Sequence, residues 1–149
     1  MFTPVIAAVI SALHVLGIAL SLGSVLARAR ALRAGDVVRA MAADNLWGLS
    51  ALVMIGTGLM RAFGGLEKGT PFYLHSPMFH LKMGLLALVL VLEVWPMVTL
   101  LRWRFQRSRG QAPDLSRMPL FARMSAVQCV VLTAMVFAAT AMARGLGMG

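Results

Sequence analysis

Residues 77–101, PMFHLKMGLLALVLVLEVWPMVTLL, form an almost wholly apolar stretch, and this stretch decides the fold class. A helix needs about 20 consecutive apolar residues to cross the hydrocarbon core of a bilayer. Lipid offers no water to the backbone, so the peptide groups of such a stretch must bind one another within a helix. The stretch therefore predicts a membrane-spanning helix that carries Lys82 and Glu93 within it.

Three other stretches have the same apolar character and predict three further spans. The four predicted spans cover residues 3–27, 45–63, 77–101 and 119–143. Glycines dilute the second span, and Asp36 is a candidate N-cap for an earlier start of its helix. Short connections favour antiparallel neighbours. The sequence thus predicts an all-α integral membrane protein, a single domain over residues 1–149 that forms a four-helix antiparallel bundle.

The composition excludes an ordinary water-soluble domain. The 149-residue chain is 60% hydrophobic and only 13% charged, whereas soluble domains are about half apolar and a quarter charged. The net charge of +9 does not indicate nucleic-acid binding, because the basic residues cluster between the apolar stretches, as topology signals do. The lipid bilayer is therefore the expected partner, and no nucleic acid is expected.

Arginines in two connections predict the orientation of the bundle. The connection after the first span holds four arginines and the connection after the third holds six, out of 14 Lys+Arg in the chain. Connections rich in lysine and arginine stay in the cytoplasm. The sequence therefore predicts that both termini and the middle loop, residues 64–76, lie outside.

One face of the first span carries a stripe of small and polar residues. Its members recur at steps of three or four and so lie on one side of a helix: Ser11, His14, Gly17, Ser21, Ser24 and Arg28. The stripe is either a packing seam with one interhelical hydrogen bond from His14, or a ligand-binding face with His14 as a metal ligand. The sequence leaves both interpretations open.

Acidic residues in the second and third spans are expected to face the bundle interior. Insertion scales assign such a group a cost of roughly 2.5–3.5 kcal/mol at mid-membrane, so it usually has a role. Asp44 is expected near the inner interface, level with Arg28 and Arg30, where a structural ion pair is favoured over proton handling. Glu93 lies deeper in its span and cannot reach the interface easily.

Lys82 is the predicted functional residue at the start of the third span. It shares a helix face with Glu93 and lies about 16 Å from it. His80 points almost the opposite way, so we interpret it as an interfacial residue. Lys82 can extend its ammonium group to the interface while its stem stays in hydrocarbon.

Four short motifs carry a resemblance over nearly the full length: ADNLWG from Ala43, GLEKG from Gly65, LKM from Leu81 and EVWP from Glu93. With these motifs the chain resembles an uncharacterised family of bacterial four-helix inner-membrane proteins, a domain of unknown function. The resemblance implies a multi-pass protein of the bacterial inner membrane and brings no activity with it.

A narrower resemblance rests on His14 in the first span, Arg30 at the inner end of that span, and His80-Leu81-Lys82 at the start of the third. These positions resemble the small membrane-embedded protoporphyrinogen oxidase family. The resemblance implies haem b as cofactor and a porphyrin as ligand. The chain lacks the aromatic-rich first helix of that family, which leaves the substrate open.

The leading functional hypothesis is a haem- or porphyrin-binding redox protein of the inner membrane. His14 would ligate the iron as a neutral imidazole. Arg61 and Lys82, both near the outer face, would neutralise propionates or substrate carboxylates. Glu93 would accept a proton deeper in the same cavity.

Two alternative functions stay open. The first is a transporter or channel-like protein in which Lys82, Glu93 and Asp44 are steps of a polar pathway. Four helices are few for such a pathway, so this function would need a homo-oligomer. The second is a non-catalytic assembly partner that packs beside a larger membrane complex.

Overall fold

The computed structural model describes residues 4–66 and 68–146. Its helices are α1 (Pro4–Arg33), α2 (Val37–Phe63), α3 (Thr70–His75), α4 (Pro77–Ser108) and α5 (Met118–Ala143). The four long helices are each long and apolar enough to cross a membrane. The predicted all-α fold with four spans is confirmed, while residue 3, the predicted start of the first span, lies outside the described residues.

Three of the long helices extend past the predicted spans at one end of the bundle. α1 runs on to Arg33, α4 runs on to Ser108, and α2 already begins at Val37. The Asp36 side chain caps α2 by accepting a hydrogen bond from the backbone N–H of Arg39 at 2.9 Å, as its position after Gly35 predicted. We call this end, which holds the connections 34–36 and 109–117, the arginine-rich end.

α1 is the helix around which the bundle is arranged. It packs along α2 on one side and along α5 on the other, and α5 packs along α4. α2 and α4 meet only in a short contact. The order around the bundle is therefore α2, α1, α5 and α4, and the residues of α1 can reach three helices.

Apolar side chains fill the interior and also cover the outside. Buried clusters centre on Trp103 and Phe121 near the arginine-rich end and on Trp47 and Val89 further along. On the outside, Leu52 and many other large apolar side chains are exposed. Lipid tails are as apolar as these side chains, so their exposure is favourable in a bilayer. The surface therefore fits contact with lipid.

The loop that joins α2 to α4 covers the end of the bundle opposite the arginine-rich end. Tyr73 of α3 is buried, and its ring centroid lies 5.5 Å from that of Phe79 in α4. The Lys68 ammonium group donates to the carbonyl of Ala143 at the end of α5, at 3.5 Å. This loop is therefore an anchored cap.

Gly17 marks a close approach of α1 to α2. A Cβ at Gly17 would lie 3.2 Å from the backbone N of Met54 and 3.3 Å from its Cα, whereas a Cβ at Gly23 would meet nothing within 4 Å. We expect Gly17→Ala to lower the free energy of unfolding by roughly 1–3 kcal/mol, because the helices must move apart. Gly23→Ala should raise it by up to about 1 kcal/mol through helix propensity. SDS titration followed by tryptophan emission measures both, and equal midpoints would contradict close packing at Gly17.

The orientation of the bundle stays a prediction that cysteine labelling can test. Thr70 begins α3 in the cap, and Gln111 is exposed in the connection between α4 and α5. In a Cys129→Ala background, an impermeant maleimide added to spheroplasts should label Thr70→Cys and spare Gln111→Cys, because arginine-rich connections stay inside. Lysed spheroplasts provide the control in which both should react. The reverse pattern in intact spheroplasts would overturn the orientation.

Candidate functional site

Arg28 of α1 is fully buried and binds the other three long helices. Its Nη1 and Nη2 atoms donate two parallel hydrogen bonds to Oε1 and Oε2 of Glu93 in α4, both at 2.7 Å. Nη1 also donates to Oδ1 of Asp44 in α2 at 2.7 Å. Nη2 donates to Oε1 of Gln128 at 2.7 Å and Nε to Oγ of Ser125 at 3.1 Å, both in α5. One planar guanidinium thus ties the bundle together, a geometry for which arginine is suited.

Gln128 completes the shell around the Glu93 carboxylate. It is fully buried, and its Nε2 donates to Oε2 of Glu93 at 2.8 Å and to the backbone carbonyl of Val89 at 3.2 Å. Its carbonyl oxygen is the group that accepts from Arg28. Turning the amide over would break all three contacts, so the orientation of Gln128 is fixed.

Arg104 brings a second positive charge to the cluster. This half-buried side chain donates from Nη2 to the carbonyl of Met41 at 2.8 Å and to Oδ2 of Asp44 at 3.4 Å. The two arginines and the two carboxylates together carry no net charge. The attraction between their opposite charges offsets part of the free-energy cost of removing them from water. The structural ion pair predicted for Asp44 is confirmed by its contact with Arg28.

The buried cluster is suited to holding helices together. Both oxygens of Glu93 accept hydrogen bonds, and Asp44 also accepts one from Arg28. The paired contact with Arg28 supports a structural role for Glu93. The proton-acceptor role of Glu93 stays a prediction.

His14 lies far from this cluster, about 21 Å along α1 from Arg28 at 1.5 Å per residue. The sequence hypothesis placed Glu93 in the same cavity as His14. In the structure Glu93 is bound to Arg28 instead. Helical spacing along α4 gave the face of Glu93 but not the height at which a partner on α1 would meet it.

A hydrogen bond joins His14 of α1 to Thr57 of α2. The His14 ring is buried, and its Nδ1 lies 3.0 Å from Oγ1 of Thr57. The Thr57 hydroxyl also donates to the backbone carbonyl of Val53. A neutral ring that donates from Nδ1 to Thr57 carries its lone pair on Nε2.

Gly58 provides the space for the His14 ring. A Cβ at Gly58 would lie 3.1 Å from the ring carbon Cε1. Ser21, further along the stripe, donates to the hydroxyl of Ser50 at 3.1 Å. This part of the stripe packs against α2, and the interhelical hydrogen bond expected from His14 is present.

The other residues singled out from the sequence are spread over both ends of the bundle. Arg61 is half-buried in the last turn of α2, and Lys82 is half-buried near the start of α4. Arg30 is exposed at the arginine-rich end. His80 is exposed and its Nε2 donates to the carbonyl of Leu74 at 2.8 Å. Its assignment as an interfacial residue agrees with this position.

Sequence reasoning missed the contribution of α5 and of Arg104 to the cluster. The sequence analysis assigned no functional residue to the fourth span, and Arg104 entered it only as one of the six arginines that follow the third span. Ser125 and Gln128 are polar residues one helical turn apart within an apolar span, which places them on one face. That spacing was the available signal for a polar contact.

Comparison with known proteins identifies a family for almost the whole chain. Residues 6–147 match the family described as "Predicted membrane protein (DUF2214)". No curated protein and no solved structure matches the chain. The matched range includes nearly all of the four long helices. The chain therefore belongs to the DUF2214 family of predicted membrane proteins.

Proposed function

We propose that this membrane protein binds haem or a related porphyrin through Nε2 of His14 and serves as a redox protein of the bacterial inner membrane. The observation that supports this function is the hydrogen bond between His14 and Thr57. Histidines that ligate metals almost always donate their second ring N–H to an acceptor, which fixes the ring and its tautomer. Thr57 is such an acceptor, because its own hydrogen is donated to Val53.

Two cations lie towards the same end of the bundle as His14. Arg61 lies one helical turn beyond Thr57 on α2, and Lys82 lies near the start of α4. Long cationic side chains can keep their stems in hydrocarbon while their charged ends bind carboxylates. Their proposed partners are the propionates of the ligand. We assign no ligand contact to Arg30, which lies at the arginine-rich end.

The side of α1 that faces α2 is closed to a flat ligand. Met54 occupies the space beside Gly17, and the His14 ring itself occupies the space beside Gly58. Nε2 lies on the part of the ring away from Nδ1 and Thr57. Ligand binding would therefore take place on the side of His14 that faces away from Thr57. Bound haem would supply one-electron chemistry, and the chain would supply the nitrogen ligand of His14 and the cations of Arg61 and Lys82.

A transport function has less support. The polar pathway imagined for it included Asp44 and Glu93, and both carboxylates are bound to Arg28 in a cluster without net charge. An ion passing through would have to break several charge-assisted hydrogen bonds, each worth roughly 1.5–3 kcal/mol. We therefore give these two residues a structural role.

An absorption spectrum of the purified protein, before and after addition of haemin, tests the proposal. We expect a Soret band in the wild type, its loss in His14→Ala, and its retention in His80→Ala, the matched exposed histidine. Thr57→Val should weaken haemin binding about 10- to 100-fold, as loss of an outer-shell partner does. A wild type that leaves the Soret band of free haemin unchanged, or a changed band that survives His14→Ala, would overturn haem ligation by His14.

A further inference from the structure

We propose that a crevice between the last turns of α4 and the connection 109–117 binds the headgroup of a phospholipid. In this site Arg102 and Arg117 bind the phosphodiester, and Oε1 of Gln106 accepts a hydrogen bond from the headgroup. The crevice has a volume of about 300 Å³. It lies at the arginine-rich end, apart from His14, so this proposal does not depend on haem binding.

The lining of the crevice comes from one face of α4 and from the loop that follows. The α4 residues Trp95, Thr99, Arg102 and Gln106 follow helical steps of three or four, and the loop contributes Asp114 and Arg117. Trp95 is 44% exposed, and Trp and Arg together are typical of the depth at which headgroups lie. The crevice therefore combines an apolar wall with charged groups at headgroup level.

The charges of the lining suit a single negative charge. Arg102 and Arg117 are both exposed, and the Arg117 guanidinium lies 5.2 Å from the centre of the Trp95 ring. The backbone N–H of Ser116 donates to the Asp114 carboxylate and holds the pKa of that carboxyl below its usual value. Asp114 is then ionised at neutral pH, and two cations with one anion leave one positive charge for a phosphodiester.

Gln106 supplies the feature that selects among headgroups. Its Oε1 is a buried side-chain atom that has no hydrogen-bond partner among the described residues. A buried acceptor without a donor is destabilising, so a turn of the Gln106 side chain that brings Oε1 to a donor in the crevice would be favourable. Glycerol and ethanolamine headgroups carry such a donor beside the phosphodiester, whereas choline carries none. Basic pockets at this level of membrane proteins bind lipid headgroups.

The chain offers a matched control in a second crevice of about 470 Å³. This crevice lies between α1 and the start of α5 and also contains two arginines, Arg33 and Arg123. No buried unpaired side-chain acceptor is found among its lining residues, all of which the structure describes. It therefore presents two arginines, as the first crevice does, without the acceptor of Gln106 and without an acidic residue.

Native mass spectrometry of the detergent-solubilised full chain, with equal additions of phosphatidylglycerol, phosphatidylethanolamine or phosphatidylcholine, tests the site. We expect about tenfold higher occupancy with phosphatidylglycerol than with phosphatidylcholine, because phosphatidylglycerol carries a net negative charge and a hydroxyl donor for Gln106, whereas phosphatidylcholine carries neither. Arg102→Gln/Arg117→Gln should remove most of that preference, and Arg33→Gln/Arg123→Gln should keep it. If phosphatidylethanolamine binds as strongly as phosphatidylglycerol, the hydrogen-bond donor of the headgroup decides the preference. If it binds only as weakly as phosphatidylcholine, the net charge of the lipid decides the preference, and this result would contradict the role of Gln106.

Gln106→Leu keeps both arginines and so tests the acceptor without changing the charge. We expect it to reduce the advantage of phosphatidylglycerol over phosphatidylcholine about fivefold while the SDS unfolding midpoint stays within error of the wild type. Equal binding of all three lipids to the wild type would overturn the proposal. An equal loss in the Arg33→Gln/Arg123→Gln control would also overturn it, because binding would then reflect general attraction to arginine.

Discussion

Arg28→Met is expected to lower the free energy of unfolding by roughly 3–5 kcal/mol, the range for removing one partner of a buried ion pair. The substitution keeps the apolar stem but leaves Glu93 and Asp44 as two carboxylates without their shared cation. Gln128 and Ser125 lose their donor at the same time. In lipid, water cannot replace the hydrogen bonds that these groups lose, so the four long helices should separate more readily.

The unfolding midpoint in SDS, followed by tryptophan emission, measures this loss. Trp47 and Trp103 are both buried and lie on different helices, so their emission reports loss of packing. Arg30→Met is the matched control, because Arg30 lies on the same helix and is exposed. It should change the free energy of unfolding by no more than about 0.5 kcal/mol. Equal midpoints for the two variants would contradict the role assigned to Arg28.

Arg28→Lys separates charge from geometry in the same assay. Lysine keeps the positive charge but offers a compact ammonium group, whereas the guanidinium uses Nε, Nη1 and Nη2 at once. We expect a loss between those of the wild type and Arg28→Met, because part of the fork-like pairing disappears. A variant as stable as the wild type would show that charge alone suffices.

The fold was predictable because lipid sets the length and the character of its helices. Apolar stretches predicted all four long helices, but they predict only the part of each helix that lies in the hydrocarbon core. Backbone hydrogen bonds continue past that point, which is why α1 reaches Arg33 and α4 reaches Ser108. Only where a local capping signal existed, at Asp36, could the extension of a helix be predicted.

The site was predictable only as far as positions along single helices allow. Asp44 and Arg28 follow one another across a short connection, so their pairing could be inferred from their equal depth. The pairing of Glu93 depends on the height of α4 relative to α1, which spacing within α4 does not contain. The tautomer of His14 likewise depends on Thr57 from another helix.

Glu93→Gln is expected to lower the free energy of unfolding by about 2 kcal/mol, the scale of a hydrogen bond to a charged group. Each oxygen of Glu93 accepts from Arg28 at 2.7 Å. Whichever way the new amide is placed, its NH2 group must therefore face an arginine N–H, donor against donor. Gln128 cannot relieve this contact, because its own carbonyl is bound by Arg28.

Asp44→Asn makes the same chemical change on the other carboxylate and should cost less, about 1 kcal/mol or below. Its amide oxygen can take the place of Oδ1, which accepts from Arg28 at 2.7 Å, while the NH2 group faces Arg104 across 3.4 Å. Glu93→Leu removes every acceptor and should exceed both, at roughly 3–5 kcal/mol. The SDS midpoints should fall in the order Asp44→Asn, Glu93→Gln, Glu93→Leu. The two parallel hydrogen bonds from Arg28 to Glu93 are the reason that Glu93→Gln is expected to cost more than Asp44→Asn. A larger loss for Asp44→Asn would therefore show that Asp44 is the principal anion of Arg28.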